Sequence, residues 1–343
     1  MAERPQQLRR KGARATSLRS RRAAVRTAEL LVGALLFAIL ISPAAATAQT
    51  TPEITRFAKL GLIDRLKSAP RFLIFGSSRA MRADPAYLRR RLGVSGFNAA
   101  VSSGCPADAW AYLNAVMDKF GPQYAGSGPR CLWMIDLEQF HLTEIHARSL
   151  SVKRLADYII PQLPPAGRVA ARSLPPMVPG VPVTPDFAGR NVYATNGFIK
   201  WSHYDWRAAH GWPLSRGIEY TARQYLRLYP ARFPRLQPFT KHFFEITLAK
   251  LASVGTRPVV VLSTYQPKLL KLVVDLGWRE RHAEVLAYFK SLQKTYQFEV
   301  LDFSYISTFG GLGSEFYDGT HARVKLVNKM LDVVVKKAGA LLQ

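Results

Sequence analysis

The sequence predicts the α/β fold class, and three observations predict it. Short apolar runs recur at 71–75, 97–101, 131–135, 258–262 and 298–303. Stretches with apolar residues at helical spacing separate most of these runs, and such alternation is typical of parallel sheets with right-handed crossovers. Glycine, serine or aspartate follows several of the runs. We therefore expect a three-layer, flavodoxin-like arrangement of about five parallel strands, with polar residues gathered at the carboxyl edge of the sheet.

The beginning of the chain has the features of an export segment. Residues 1–48 contain nine arginines or lysines, then the apolar run LLVGALLFAILI at 30–41 and an Ala-x-Ala stretch. This order indicates a signal peptide. Extension of the apolar run towards ~20 residues would instead give a transmembrane anchor with a cytoplasmic N-terminus. We expect export to the periplasm or to the outer face of the cytoplasmic membrane, with both alternatives open.

The remaining chain divides into a linker helix at 49–69 and a main domain at 70–343. Within that domain, residues at about 140–238 interrupt the alternation of strands and helices and are rich in proline, arginine and aromatic residues. We interpret this stretch as one insertion that covers the carboxyl edge of the sheet. It would either contact substrate or form a surface subdomain with a small core of its own.

Composition limits the partners and cofactors. The formal net charge of +25 favours anionic partners such as lipid head groups or acidic glycans. No nucleic-acid-binding motif accompanies this charge, so we expect no nucleic-acid partner. The histidines show no metal-ligand spacing, and we expect neither a metal nor another cofactor. The two cysteines, Cys105 and Cys131, are compatible with one disulfide or with two buried thiols.

Three predicted loops at the carboxyl edge carry the residues of a serine nucleophile site. Ser77 and Ser78 follow the first strand, Gly104 follows the second, and Asp318 and His321 precede the last helix. A serine nucleophile needs a base, and the base needs an acceptor that orients it. Asp-x-x-His can supply both from one turn. Backbone amides next to a glycine are suitable donors to an oxyanion.

Gly76-Ser77-Ser78, the block from Asn98 to Gly104 and Asp318-x-x-His321 together resemble the SGNH (GDSL-like) hydrolase superfamily over about 70–340. The resemblance implies that Ser78 is the nucleophile, His321 the base and Asp318 its orienting partner. It also implies that the amides of Ser78 and Gly104 form the oxyanion hole. The Gly-Ser-Ser-Arg form and the N-terminal segment resemble a subgroup that includes the membrane-anchored D-alanyl-transfer protein of teichoic acid assembly.

One block departs from the superfamily pattern. The third block of the superfamily normally supplies an asparagine to the oxyanion hole. In this sequence the third strand ends instead in Ile135-Asp136-Leu137-Glu138-Gln139. Gln139 is the candidate replacement, because ionised Asp136 cannot donate. Arg79 is a candidate for binding an anionic substrate group, with a salt bridge as the alternative.

The resemblance implies a cell-envelope serine esterase or O-acyltransferase. Its substrate would be an acylated glycan or lipid, and a membrane-bound acyltransferase is a candidate partner. The alternative is a non-catalytic protein of the same fold that binds or assembles envelope polysaccharide. A third hypothesis is binding to anionic surfaces through charge alone, which predicts strong salt dependence.

Overall fold

The computed structural model describes residues 51–124, 128–140, 149–172, 191–232 and 236–343. The strands are, in chain order, β1 Phe72–Gly76, β2 Gly96–Asn98, β3 Arg130–Ile135, β4 Val192–Tyr193, β5 Ile199–Trp201, β6 Val259–Leu262 and β7 Glu299–Asp302. The α-helices are α1 Thr51–Arg65, α2 Pro85–Leu92, α3 Pro106–Phe120, α4 Lys153–Ile159, α5 Pro165–Arg172, α6 His203–Ala209, α7 Leu214–Arg232, α8 Pro238–Ser253, α9 Pro267–Val273, α10 Arg279–Leu292 and α11 Val324–Ala338.

The central sheet confirms the predicted fold class. Its five strands are all parallel and follow the order β2-β1-β3-β6-β7. The order reverses beside β1, since β2 lies on one side of it and the later strands on the other. A crevice at such a switch point, beyond the carboxyl ends of the strands, is where open α/β sheets bind ligands. Ser77 and Ser78 directly follow β1.

Alternate strand residues build two separate cores, as the period of two in a strand requires. On one face Ile74 and Leu132 belong to a buried cluster with residues of α2 and α11, such as Leu88 and Val327. On the other face, Phe75 meets Trp133 edge to face, and Trp133 packs on Phe244 of α8 at 4.7 Å between ring centroids. Helices therefore cover both faces, which gives the three-layer arrangement.

Helix α2 begins and ends at the residues that its sequence indicates. The carboxylate of Asp84 accepts a hydrogen bond from the Ala86 amide at 2.8 Å, and Pro85 occupies the first turn. The helix ends at Gly93, whose φ of 76° is readily adopted by glycine. This short helix carries the chain from the end of β1 back to the start of β2.

Helix α1 is packed into the domain, which differs from the linker expected at 49–69. Arg56, Lys59 and Ile63 are fully buried. The Arg56 guanidinium forms a two-point ion pair with Asp108 at the start of α3, with both N–O distances at 2.7 Å. Lys59 donates to backbone carbonyls of Asn98 and Gly197, and burial lowers its pKa well below the usual range. The buried face of α1 therefore includes two basic side chains, of which Arg56 is paired with a carboxylate.

The stretch after β3 contains α4 to α7 and an antiparallel hairpin of β4 and β5. Within it, residues 160–175 group apart from the main unit, which comprises 48–159 and 176–343. The described part of that smaller group contains a 3-10 turn at Ile160–Gln162 and helix α5. Helices α6 and α7 belong to the main unit and supply residues of the site below.

The prediction of a transmembrane protein requires a correction. Over the described ranges of the chain, no helix combines the length and the apolar character needed to cross a membrane. The apolar run at 30–41, on which the predictions of a signal peptide and of an anchor both depend, lies outside those ranges.

Candidate active site

The turn after β1 fixes Ser77 and Ser78. Gly76 has a φ of 151°, and a Cβ atom there would overlap the Met134 carbonyl and the Ala80 side chain. Only glycine therefore fits this close approach of β1 to β3. Ser77 points its hydroxyl at the carboxylate of Asp136 and accepts a hydrogen bond from the Arg79 amide at 3.2 Å. The Ser77 hydroxyl is thus engaged by Asp136, whereas the Ser78 hydroxyl is directed at His321.

The loop before α11 holds Asp318 and His321 in a fixed geometry. One carboxylate oxygen of Asp318 accepts the amides of Thr320 and His321, each at 2.8 Å, and the other lies 2.8 Å from His321 Nδ1. Burial opposes ionisation of Asp318, but His321 and the two amides outweigh it and lower its pKa to about 2. Asp318 is therefore ionised at neutral pH.

Ser78 and His321, far apart in sequence, meet at this edge. The Ser78 hydroxyl lies 2.8 Å from His321 Nε2. Because the Asp318 carboxylate can only accept, Nδ1 carries the proton of the neutral imidazole. Nε2 then has a free lone pair that can take the Ser78 proton. The three predicted residues form the geometry of a serine nucleophile, a general base and an orienting carboxylate.

Two of the predicted oxyanion donors, Gly104 and Gln139, differ in whether their N–H groups are already bonded. The Gly104 amide donates to the Val101 carbonyl at 3.0 Å, so it is already engaged in a turn. A Cβ atom on Gly104 would overlap the Gly76 carbonyl, so this glycine allows the two loops to approach closely. Gln139 is 1% exposed, and neither its Oε1 nor its Nε2 has a hydrogen-bond partner in the described part of the chain. Gln139 therefore has a free amide at the site.

Arg79 lies in a buried charge network beneath Ser78. Its Nη2 lies 3.0 Å from a Glu138 carboxylate oxygen, and its Nε lies 3.5 Å from Asp136. The guanidinium also stacks on the Tyr265 ring at 4.6 Å. Its Nη1 has no hydrogen-bond partner within the described ranges. The predicted alternative of a salt bridge thus accounts for most of this side chain, and the two N–H groups of Nη1 remain without a partner among the described residues.

Tyr204 of α6 was missed by the sequence analysis. Its hydroxyl lies 2.8 Å from His321 Nε2, and its ring stacks on the imidazole with centroids 4.1 Å apart. Burial raises the pKa of Tyr204 well above its usual range, so the hydroxyl keeps its proton. The neighbouring His203 stacks on Tyr204 at 3.8 Å, and burial lowers its pKa to about 3. No sequence motif marks Tyr204, because its position depends on where α6 docks.

A cavity of about 340 Å³ opens beside Ser78 and His321. Polar and aromatic side chains line it, and no aliphatic side chain of the described residues does so. The lining beyond the triad includes Ser77, Arg79, Ser103, Gly104, Asp136, Glu138, Gln139, His203, Tyr204, Arg207, Tyr220, Thr221, Gln224, Tyr225 and Thr320. The cavity therefore suits a polar group better than a long acyl chain.

Both cysteines are free thiols and both are buried. Of the two alternatives that the sequence leaves open, the structure has the pair of buried thiols. Burial raises the pKa of Cys105 to about 12 and raises that of Cys131 further. Such thiols stay protonated and unreactive at neutral pH.

Comparison with models of known protein families gives no match, and comparison with curated protein sequences gives none either. The resemblance of the motifs to the SGNH superfamily stays a prediction.

Proposed function

We propose that the protein is a serine esterase or O-acyltransferase that acts on acyl esters. The observation that carries this proposal is the chain of two 2.8 Å contacts from Ser78 through His321 to Asp318. Ser78 attacks the ester carbonyl, and a bond forms between its Oγ and the carbonyl carbon. His321 takes the serine proton and gives it to the leaving oxygen as the ester bond breaks. Water or another hydroxyl then accepts the acyl group by the same steps in reverse.

The lining of the cavity supports a small acyl group on a glycan rather than a long-chain lipid ester. Side chains such as Gln139, Thr221 and Gln224 offer hydrogen bonds, and none of the described side chains that line this cavity is aliphatic. Sugars present dense hydroxyl groups, which such a surface can bind. A pocket of about 30 Å³ that also contains Ser78 and His321 is lined in part by Met81 and Ile199, but it is too small for a long acyl chain. The predicted export segment makes the cell envelope the proposed setting, where a membrane-bound acyltransferase would be a suitable source of acyl groups.

Turnover of matched esters tests this proposal. We expect the purified protein to release acetate from an acetylated oligosaccharide and from p-nitrophenyl acetate, and to act poorly on p-nitrophenyl palmitate. Ser78→Ala should lower kcat by about 10⁶-fold, since the nucleophile is lost. Thermal unfolding of Ser78→Ala should match that of the unmodified protein. Equal turnover by the two proteins would contradict the proposal.

A non-catalytic glycan-binding protein of this fold is the second candidate. The engaged amide of Gly104 favours it, because one expected oxyanion donor is occupied. This candidate predicts that Ser78→Ala binds the acetylated oligosaccharide as tightly as the unmodified protein and that neither releases acetate. Isothermal titration calorimetry together with an acetate assay separates the two candidates.

A further inference from the structure

Two of the expected oxyanion donors are not offered at the site, while the side-chain amide of Gln139 is without a partner among the described residues. The Gly104 amide donates its hydrogen bond to the Val101 carbonyl. Asp136 stands where the resemblance to the SGNH superfamily leads us to expect a donor side chain, and an ionised carboxylate can only accept. Loss of one such donor lowers kcat by about 10²- to 10³-fold in serine hydrolases. A further donor close to Ser78 would offset such a loss.

Tyr204 places a neutral hydroxyl beside His321 Nε2, the nitrogen that the Ser78 hydroxyl also contacts. Both its hydroxyl and that of Ser78 lie 2.8 Å from the same nitrogen, His321 Nε2. A neutral imidazole nitrogen has one lone pair and can fully accept only one of these protons. The Tyr204 and His321 rings are inclined by only 27°, so the phenol approaches Nε2 from the face of the imidazole. The lone pair lies in the ring plane, and the contact from Tyr204 is therefore poorly directed.

We propose that Tyr204 is a catalytic residue that donates its hydroxyl hydrogen to the oxyanion formed on the carbonyl that Ser78 attacks. This inference rests on the proposed function. When Ser78 attacks, its proton moves to Nε2, and the carbonyl π electrons move to the carbonyl oxygen. Nε2 now carries hydrogen and accepts nothing. The Tyr204 hydroxyl thus loses its acceptor at the moment when a negative oxygen appears beside it.

The docking of α6 holds Tyr204 in this position. Ser202 caps the helix, and its amide donates to the Asp205 carboxylate at 2.8 Å. Asp205 also forms a buried ion pair with Arg82 and accepts the hydroxyl of Tyr317. Arg82 comes from the segment after β1, and Tyr317 comes from the loop that carries Asp318. Helix α6, which carries Tyr204, is therefore bonded through Asp205 to both segments that carry the triad.

Tyr204→Phe tests the proposal, because it removes one oxygen and keeps the ring that stacks on His321. We expect kcat on p-nitrophenyl acetate to fall by about 10²- to 10³-fold. We expect KM to change by less than about threefold, since the bond forms mainly in the transition state. Tyr87→Phe is the matched control, because it also removes a phenol oxygen, one that donates a hydrogen bond to the Asp332 carboxylate at 2.7 Å. Tyr87 does not line the cavity. Its kcat should stay within about twofold of that of the unmodified protein.

A thionoester substrate adds a readout that does not depend on the fraction of folded protein. Sulfur accepts hydrogen bonds weakly, so an oxyanion donor makes the ester react faster than its thiono analogue. We expect the ratio of ester to thionoester kcat to fall by about tenfold or more in Tyr204→Phe, because the donor that makes this distinction is lost. A structural role for Tyr204 would lower both rates and leave the ratio unchanged.

The outcomes separate this inference from the proposed function. Turnover that needs Ser78, with kcat and the thiono ratio unchanged in Tyr204→Phe, would overturn the role of Tyr204 alone. A higher kcat in Tyr204→Phe would also overturn it, since the phenol would then only compete with Ser78 for Nε2. A fall in the ratio of ester to thionoester kcat in Gln139→Met, with no fall in Tyr204→Phe, would assign the donor to Gln139. Turnover that survives Ser78→Ala would overturn both the proposed function and this inference.

Discussion

Within the described ranges, the structure contains two histidine–aspartate pairs with the same nitrogen–oxygen distance. His321 Nδ1 lies 2.8 Å from Asp318, and His282 Nε2 lies 2.8 Å from Asp302. The imidazoles are similarly shielded, with 17% and 13% of their side chains exposed. Their surroundings differ. His282 stacks on Trp278 at 4.7 Å, and in the described part of the chain no hydroxyl bonds its second nitrogen. His321 has Ser78 there.

A histidine–aspartate pair becomes a catalytic site only when further groups surround it. A carboxylate fixes the tautomer of a histidine in either place, and that alone gives a stable contact. Catalysis also needs a nucleophile at the free nitrogen and a cavity beside it. Ser78 reaches His321 because β1 ends in a glycine turn at the switch point of the sheet. We therefore interpret the His282 pair as structural and the His321 pair as functional.

Replacement of each histidine should give the largest difference in kcat between the two pairs. We expect His321→Gln to lower kcat on p-nitrophenyl acetate by about 10⁶-fold, because Ser78 loses its base. The matched variant His282→Gln should keep kcat within about threefold and lose about 1 kcal/mol of unfolding free energy, since it loses one hydrogen bond. Equal losses of kcat in the two variants would contradict the distinction.

A smaller effect is expected in the dependence of stability on pH. Bonds from His321 and backbone amides lower the pKa of Asp318 to about 2, below the 3.8 of an unperturbed carboxyl. Its ionised form therefore stabilises the folded state by about 2 kcal/mol above pH ~4, and this is lost as the pH falls towards ~2. In urea unfolding, the difference between the unmodified protein and Asp318→Asn should vanish over that range.

Asp302→Asn is the matched control for this titration. Partial burial raises the pKa of Asp302, but bonds from His282 and Ser304 outweigh it and lower the pKa. The variant should therefore lose stability relative to the unmodified protein at neutral pH and show the same direction of change on acidification. A pH-independent difference for Asp318→Asn would mean that the carboxyl is not ionised in the folded protein.

The sequence predicted the parts of the site that depend on strand ends. Apolar runs located β1, and parallel strands bring their carboxyl ends to one edge, so Ser78 could be paired with Asp318 and His321. The roles of Arg56 and Tyr204 could not be predicted in this way. From the sequence alone, the face of α1 that carries Arg56 resembles a solvent-exposed face. Only the fold places Asp108 opposite Arg56 and buries the pair. Tyr204 reaches His321 only because Arg82 and Asp205 dock α6.

Covalent labelling of Ser78 tests the central claim most directly. The purified protein is incubated with a fluorophosphonate and digested with trypsin, which cleaves after Arg71 and Arg79 and releases the peptide FLIFGSSR. We predict a phosphonate adduct on this peptide, located on Ser78 rather than Ser77 by fragmentation. The adduct should be absent from Ser78→Ala and from His321→Gln, and present in His282→Gln. An unlabelled peptide in the unmodified protein, or equal labelling of Ser78→Ala, would contradict the account.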